Sequence, residues 1–238
     1  MTKERKTCIH RLVVLCRGEA KQIIPWLEEK NPVWPAFCCM VIVGGCGLYG
    51  ASVGLWQAPL QAFYAGIKFP LVIFLTILGN SGLNGMLAQV LGLGLTLRQT
   101  SLAILMSFVI VALILGAAVP IALFALYNCS SSASAGAGTT YSGILLIHIL
   151  IIAYAGVMAN IRLFGFLKKL TGNRSLARRI LIVWLATNMF LGTQLSWLLS
   201  PFVGLPHVRV IFLQEHPFER NFFEYAFERA INLIYEFL

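Results

Sequence analysis

The dominant pattern in this chain is a series of five long apolar runs separated by shorter polar stretches. The runs cover residues 35–56, 69–92, 101–127, 141–167 and 180–202. A helix needs about 20 consecutive apolar residues to cross a hydrocarbon core of about 30 Å, and each run is at least that long. The pattern therefore predicts an all-α polytopic membrane protein, with a five-transmembrane-helix bundle over residues 34–204.

A basic amphipathic segment precedes the bundle, in residues 1–33. Its apolar residues recur at intervals of three and four, which places them on one face of a helix: Ile9, Leu12, Val13, Cys16, Ala20, Ile23, Ile24 and Leu27. Gly18 and Pro25 should interrupt that helix. We expect it to lie on the cytoplasmic membrane surface, and packing against a protein is the alternative.

A second amphipathic segment follows the bundle, in residues 205–238. Its apolar stripe consists of Phe218, Phe222, Phe223, Phe227, Ile231 and Ile234. The opposite face carries glutamates, and acidic side chains are disfavoured beside anionic lipid headgroups. The pattern predicts a tail helix docked on protein, either its own spans or a partner subunit.

Small and polar residues inside the runs predict how the helices meet. Small residues let helix backbones approach closely, and the candidates for such packing are Cys46, Gly50, Gly54, Gly82 and Gly85. The polar intramembrane candidates are Asn80, Asn84, His148, Asn188 and Gln194. We interpret these polar side chains as makers of interhelical hydrogen bonds; a polar cavity beside Asn80 and Asn84 is the alternative.

The basic residues predict orientation. Of the 18 lysines and arginines, fourteen fall before the first run, after the second or around the gap between the fourth and fifth. The other four, with Lys68 among them, fall on the opposite side. The positive-inside rule then predicts a cytoplasmic N-terminus and a C-terminus on the opposite side. Candidates for binding lipid headgroups are Arg162, Lys168, Lys169, Arg174, Arg178 and Arg179.

Acidic residues are confined to the two ends of the chain. The interval 31–214 contains neither aspartate nor glutamate. Proton- and cation-coupled transporters commonly place carboxylates at membrane depth, so the sequence argues against coupled transport. The GxSxG match at Gly50–Gly54 lies in an apolar helix rather than on a strand-to-helix turn, so no enzyme is expected. No metal site or cofactor is predicted, and the basic charge is explained by orientation without nucleic acid.

Two short motifs resemble those of a known family. They are Tyr49-Gly50 with Gly54, Gln61-Ala62 and Lys68-Phe69-Pro70, and later Gly192-Thr193-Gln194-Leu195-Ser196-Trp197 with Pro201-Phe202-Val203-Gly204. Together they resemble the signatures of Yip1-like bacterial integral membrane proteins. The resemblance implies a five-span helical bundle with a cytoplasmic N-terminus. The vesicle-trafficking role of the eukaryotic relatives is not carried over.

These observations favour a non-enzymatic integral membrane scaffold, or an accessory subunit of a larger membrane assembly, in a bacterial inner membrane. Its expected partners are the lipid bilayer and other membrane subunits or a second copy. Two alternatives stay open: a small permease or channel with a polar path near Asn80 and Asn84, and a subunit that binds a pigment or redox cofactor.

Overall fold

The computed structural model describes residues 3–90, 96–128, 137–204, 209–213, 218 and 221–224. This part of the chain is helical and contains no strand. The helices are α1 (Lys3–Arg17), α2 (Ala20–Ile23), α3 (Val33–Gly54), α4 (Pro59–Val90), α5 (Leu97–Tyr127), α6 (Ala137–Thr171) and α7 (Arg174–Leu198), with a 3-10 helix at Ile24–Leu27. Within the described residues, α3 to α7 are long and apolar enough to cross a membrane. The prediction of five such helices is confirmed.

Two helix starts lie furthest from the predicted ones. The second long helix begins at Pro59 rather than near residue 69, and it continues through Pro70. Pro59 suits a first helical position because its missing N–H would have no partner there. The fifth long helix begins at Arg174, where the Asn173 side chain accepts hydrogen bonds from the N–H groups of Ser175 and Leu176.

Helix α3 packs against both α4 and α5 through glycines. A Cβ built on Gly50 would lie 2.5 Å from the carbonyl oxygen of Ala65, and one on Gly54 would lie 2.4 Å from that of Gln61. On the α5 side, a Cβ on Gly45 would lie 2.2 Å from the carbonyl oxygen of Ala112. The helix backbones can approach this closely only because these positions lack a side chain.

The remaining four long helices form a ring. Helix α4 contacts α5, α5 contacts α6, α6 contacts α7, and α7 contacts α4. Among the described residues, the diagonal pairs α4–α6 and α5–α7 make at most slight contact. Helix α3 therefore lies outside the ring, against its α4–α5 side, and the ring has an interior of its own.

The N-terminal segment packs on the bundle and breaks where the sequence predicts. Gly18 adopts a left-handed conformation with φ of 74° between α1 and α2, and Pro25 lies in the first turn of the 3-10 helix. The arginines of two long helices bind its carbonyl groups: Arg162 donates to Arg17 at 3.0 Å, and Arg98 donates to Glu29. The segment is thus held by the protein itself.

The predicted apolar face of this segment is only partly right. Ile23 and Leu27 are buried as expected, but Ile9 and Val13 are 44% and 43% exposed. Cys8, Val14 and Leu15 of α1 are buried, and Leu12 packs against the core. The α1 helix is rotated from the expected face because the break at Gly18 uncouples it from the helical register of the residues that follow.

Candidate functional site

A row of polar side chains runs along one face of α4 into the ring. Thr76, Asn80 and Asn84 recur every four residues, and all three are buried. The side-chain amide of Asn80 donates a hydrogen bond to the Oδ1 atom of Asn188 on α7. Two of the polar residues predicted inside the runs are therefore direct partners, although they lie 108 positions apart in the sequence.

A pocket of about 230 Å³ lies inside the ring of α4, α5, α6 and α7. Its lining is mostly aliphatic, and its polar members are Thr76, Ser107, Asn160, Asn188 and Ser196. None of the residues that line it carries a charge. Neutral polar groups on an apolar wall, between the helices of a bundle, are typical of sites for small organic molecules.

The Thr76 hydroxyl is unusual among the hydroxyls of the long helices. Thr187, Thr193 and Ser81 donate to the carbonyl of the residue four positions earlier, at 2.6–3.0 Å. Thr76 Oγ1 is buried and has no hydrogen-bond partner within the described part of the chain. A buried polar atom without a partner carries a desolvation cost of about 1–3 kcal/mol, so the Thr76 hydroxyl is available to a ligand.

Two further polar side chains lie unpaired nearer one end of the ring. Both amide atoms of Asn84 and the hydroxyl of Thr100 are buried and have no partner among the described residues. They belong to the ends of α4 and α5 that residues 91–95 connect, and those five residues lie outside the described chain. Asn84 does not line the pocket.

His148 of α6 contacts α3. Its Nδ1 atom lies 2.9 Å from the hydroxyl oxygen of Tyr49, and the two rings meet edge to face with centroids 5.6 Å apart. This is an interhelical hydrogen bond of the kind that the sequence predicts. One ring nitrogen of His148 is therefore already engaged.

Lys68 corrects the sequence interpretation most clearly. It was expected in a loop outside the spans, but it lies inside α4 and is fully buried. Its Nζ atom donates to the carbonyl oxygen of Pro201 at 2.9 Å, and it lies 5.0 Å from the centroid of the Phe212 ring. Gln61 donates to the same Pro201 oxygen at 2.9 Å. The segment after α7 thus turns back against α4 and satisfies a buried cation.

The small residues predicted at helix contacts divide into two groups. Cys46 is fully buried, and Gly50 and Gly54 lie at the α3–α4 contact described above. Gly82 does not serve this role, because a Cβ there would meet no atom within 4 Å. At Gly85 the nearest neighbour is the flexible side chain of Leu97, and the Leu97 Cα atom lies farther away, at 3.6 Å.

The predicted headgroup cations surround the two-residue connection between α6 and α7. The exposed ones lie in the last turns of α6 and the first turns of α7: Lys168, Lys169, Arg174, Arg178 and Arg179. Arg162 is only partly exposed and already binds the Arg17 carbonyl. Arg174 and Arg178 line a shallow depression together with Phe164 and Leu181, which offers charge beside an apolar surface.

Part of the tail contacts α7. The Phe222 N–H donates to the side chain of Gln194 at 3.2 Å, and the Phe223 ring stacks on Phe190 with centroids 5.3 Å apart. Phe218 does not take part, because it is 85% exposed. The other stripe residues, Phe227, Ile231 and Ile234, lie outside the described residues.

Neither a metal centre nor a known relative helps to define the site. The described residues contain no group of three histidine, cysteine or acidic side chains that could hold a metal ion. No protein-family model, curated protein or solved structure matches the chain. The candidate site is therefore defined by its own geometry, as the polar pocket inside the four-helix ring.

Proposed function

We propose that this protein is a non-enzymatic integral membrane protein that serves as a scaffold or accessory subunit of a larger membrane assembly. The observation that carries the proposal is a mismatch between hydrophobicity and burial among the five long helices. The most hydrophobic span, Leu97–Tyr127, is also the most buried, at 56% of its apolar window. The span Arg174–Leu198 is the least hydrophobic of the five and also the least buried, at 11% of its apolar window.

A helix that faces lipid on most of its surface gains from apolar side chains, because a polar group in hydrocarbon has no partner. Four polar side chains of α7 already have hydrogen-bond partners within the described chain: Thr187, Asn188, Thr193 and Gln194. The low mean hydropathy of α7, combined with its low burial, is therefore what favours a covering protein surface over lipid alone. Its contact with the tail residues Phe222 and Phe223 covers one part of it.

The size of the solubilised particle tests this proposal. After extraction from native membranes in mild detergent, native mass spectrometry should detect a protein complex heavier than the 26.2 kDa chain. The added mass should be a second protein subunit or a second copy. A 26.2 kDa chain that carries only lipid would contradict the proposal.

One alternative is a small permease with a polar path near Asn80 and Asn84, and the pocket supports it because Asn188, the partner of Asn80, lines it. Both asparagines are buried, and Asn80 is bonded to Asn188, so a path would require α4 and α7 to separate. Uptake of a small neutral solute into liposomes that contain the purified protein would support this alternative. The missing carboxylates in 31–214 argue against ion-coupled uptake.

The orientation follows from the charges and is part of the same proposal. The cation cluster at the α6–α7 connection belongs in the cytoplasm with α1, and the connection between α5 and α6 belongs on the opposite side. Cysteines introduced at Lys169 and at Ser131 should react with a membrane-impermeant reagent from opposite sides. Labelling of both positions from the same side would refute this orientation.

The family resemblance is also a proposal, and one contact supports it. Gln61 and Lys68 come from the first resembling motif, and Pro201 and Phe202 come from the second. Gln61 donates to the carbonyl oxygens of Pro201 and Phe202, at 2.9 and 3.0 Å, and Lys68 also donates to the Pro201 carbonyl. Side chains of the first motif thus donate hydrogen bonds to carbonyl groups of the second, and this contact would explain why the two motifs occur together in a Yip1-like chain.

A further inference from the structure

We infer that the pocket inside the ring of α4, α5, α6 and α7 binds an uncharged lipophilic molecule through a carbonyl oxygen. Three features of the pocket carry this inference: its position between four helices, the neutrality of its lining, and the hydrogen-bond donors that it presents. It goes beyond the scaffold proposal, which rests on the outer surface of α7.

The pocket has room because of glycines on two of its walls. Gly156 of α6 and Gly192 of α7 both line it, and a Cβ on either would meet no atom within 4 Å. Gly50 and Gly54 differ, because their missing side chains are replaced by a neighbouring backbone. The glycines of the pocket therefore widen a space instead of bringing helices together.

The donors select the chemistry of the ligand. Asn188 accepts from Asn80 through its Oδ1 atom, which leaves the pocket its N–H₂ donor and the second lone pair of Oδ1. The Thr76 hydroxyl lines the same pocket, is 3% exposed and has no partner among the described residues. Thr76 on α4 and Asn188 on α7 thus each offer a donor to the same pocket, and a carbonyl oxygen can accept two hydrogen bonds.

The lining also excludes a charged headgroup. Neither cations nor carboxylates are found among the residues that line the pocket. A buried charge without a partner is strongly disfavoured, so a phosphate or an ammonium group would not enter. Aliphatic walls with neutral donors suit an ester of a neutral glycerolipid or the carbonyl of a quinone, which share the same chemistry.

Equilibrium titration of the purified full chain in mild detergent tests the inference. The two probes are dioctanoylglycerol and decylubiquinone, and the comparison compound is the dioctyl ether of glycerol, which lacks the carbonyl groups. At least one probe should bind to saturation, and the ether should bind about fivefold or more weakly than the ester. The probe that binds identifies the source of the carbonyl. Failure of both probes, or equal binding of ester and ether where the ester binds, would overturn the inference.

Paired variants locate the binding in the pocket. Gly192→Leu should abolish binding because the leucine side chain fills the pocket. Gly82→Leu is its control: its side chain also enters open space, but outside the pocket, so binding should be retained. Thr76→Val should weaken binding about fivefold by removing one donor. Thr187→Val is its control, because the Thr187 hydroxyl donates to Val183 at 3.0 Å and lies outside the pocket. Wild-type binding by Gly192→Leu or Thr76→Val would also overturn the inference.

Discussion

Replacing Gly50 with alanine adds one methyl group at the contact between α3 and α4. The new Cβ would lie 2.5 Å from the carbonyl oxygen of Ala65 and 2.8 Å from Cδ2 of Phe69. The Phe69 ring can rotate away, but the carbonyl belongs to the backbone of α4. The two helices must therefore move apart, and the close packing along α3 is lost.

Gly44 in the same helix supplies a matched control for this substitution. It is exposed, and a Cβ there meets no atom within 4 Å. Both changes gain the same helix propensity, about 1 kcal/mol for alanine over glycine, so that term cancels in the comparison. Overpacking of a core typically costs about 1–3 kcal/mol. Gly50→Ala should be less stable than Gly44→Ala by that amount, or by roughly 2–12 °C in melting temperature for a chain of this size.

Thermal unfolding in mild detergent, followed by tryptophan fluorescence, measures the difference directly. The wild type, Gly50→Ala and Gly44→Ala should be compared at the same protein and detergent concentrations. A Gly50→Ala variant that melts at or above the temperature of Gly44→Ala would refute the close α3–α4 contact. The reasoning from backbone approach would then fail for Gly54 as well.

Three other predictions follow from the contacts within the bundle. Lys68→Met removes a donor to Pro201 and should raise hydrogen–deuterium exchange in residues 199–204; unchanged exchange would argue against the contact. A double-mutant cycle with Asn80→Leu and Asn188→Leu should yield a coupling energy of about 0.6 kcal/mol in unfolding experiments, and additive effects would contradict their hydrogen bond. Deletion of residues 217–238 should preserve membrane insertion but lower the melting temperature or abolish assembly, and an unchanged melting temperature and assembly would show that the tail has no docking role.

The existence of the five long helices could be predicted because each follows from a long run of apolar residues. A run of 20 or more apolar residues has few other stable arrangements, whichever neighbours it meets. Helix ends depend on single residues instead. Pro59 at the start of α4 and the cap formed by Asn173 extend their helices beyond the apolar runs, and a hydrophobicity pattern does not register either residue.

The pocket and the buried lysine depend on contacts between residues that are distant in sequence. Lys68 stands at the edge of an apolar run, which is typical of a loop. Its burial is compensated by the Pro201 carbonyl and the Phe212 ring, which lie far from it in sequence. Gly50 and Gly82 are alike in sequence terms, yet one faces a backbone and the other faces open space. The sequence does contain the two motifs to which Lys68 and Pro201 belong, but nothing in it indicates that the two motifs contact each other.

The central claim, that α7 faces another protein subunit, is tested most directly by photo-crosslinking in native membranes. Ile182 of α7 and Ile121 of α5 are both isoleucines and are both 59% exposed. A photoreactive amino acid at residue 182 should form a crosslink to a protein, either another subunit or a second copy, while the same group at residue 121 should form adducts with lipid. Lipid adducts alone from both positions would contradict the account.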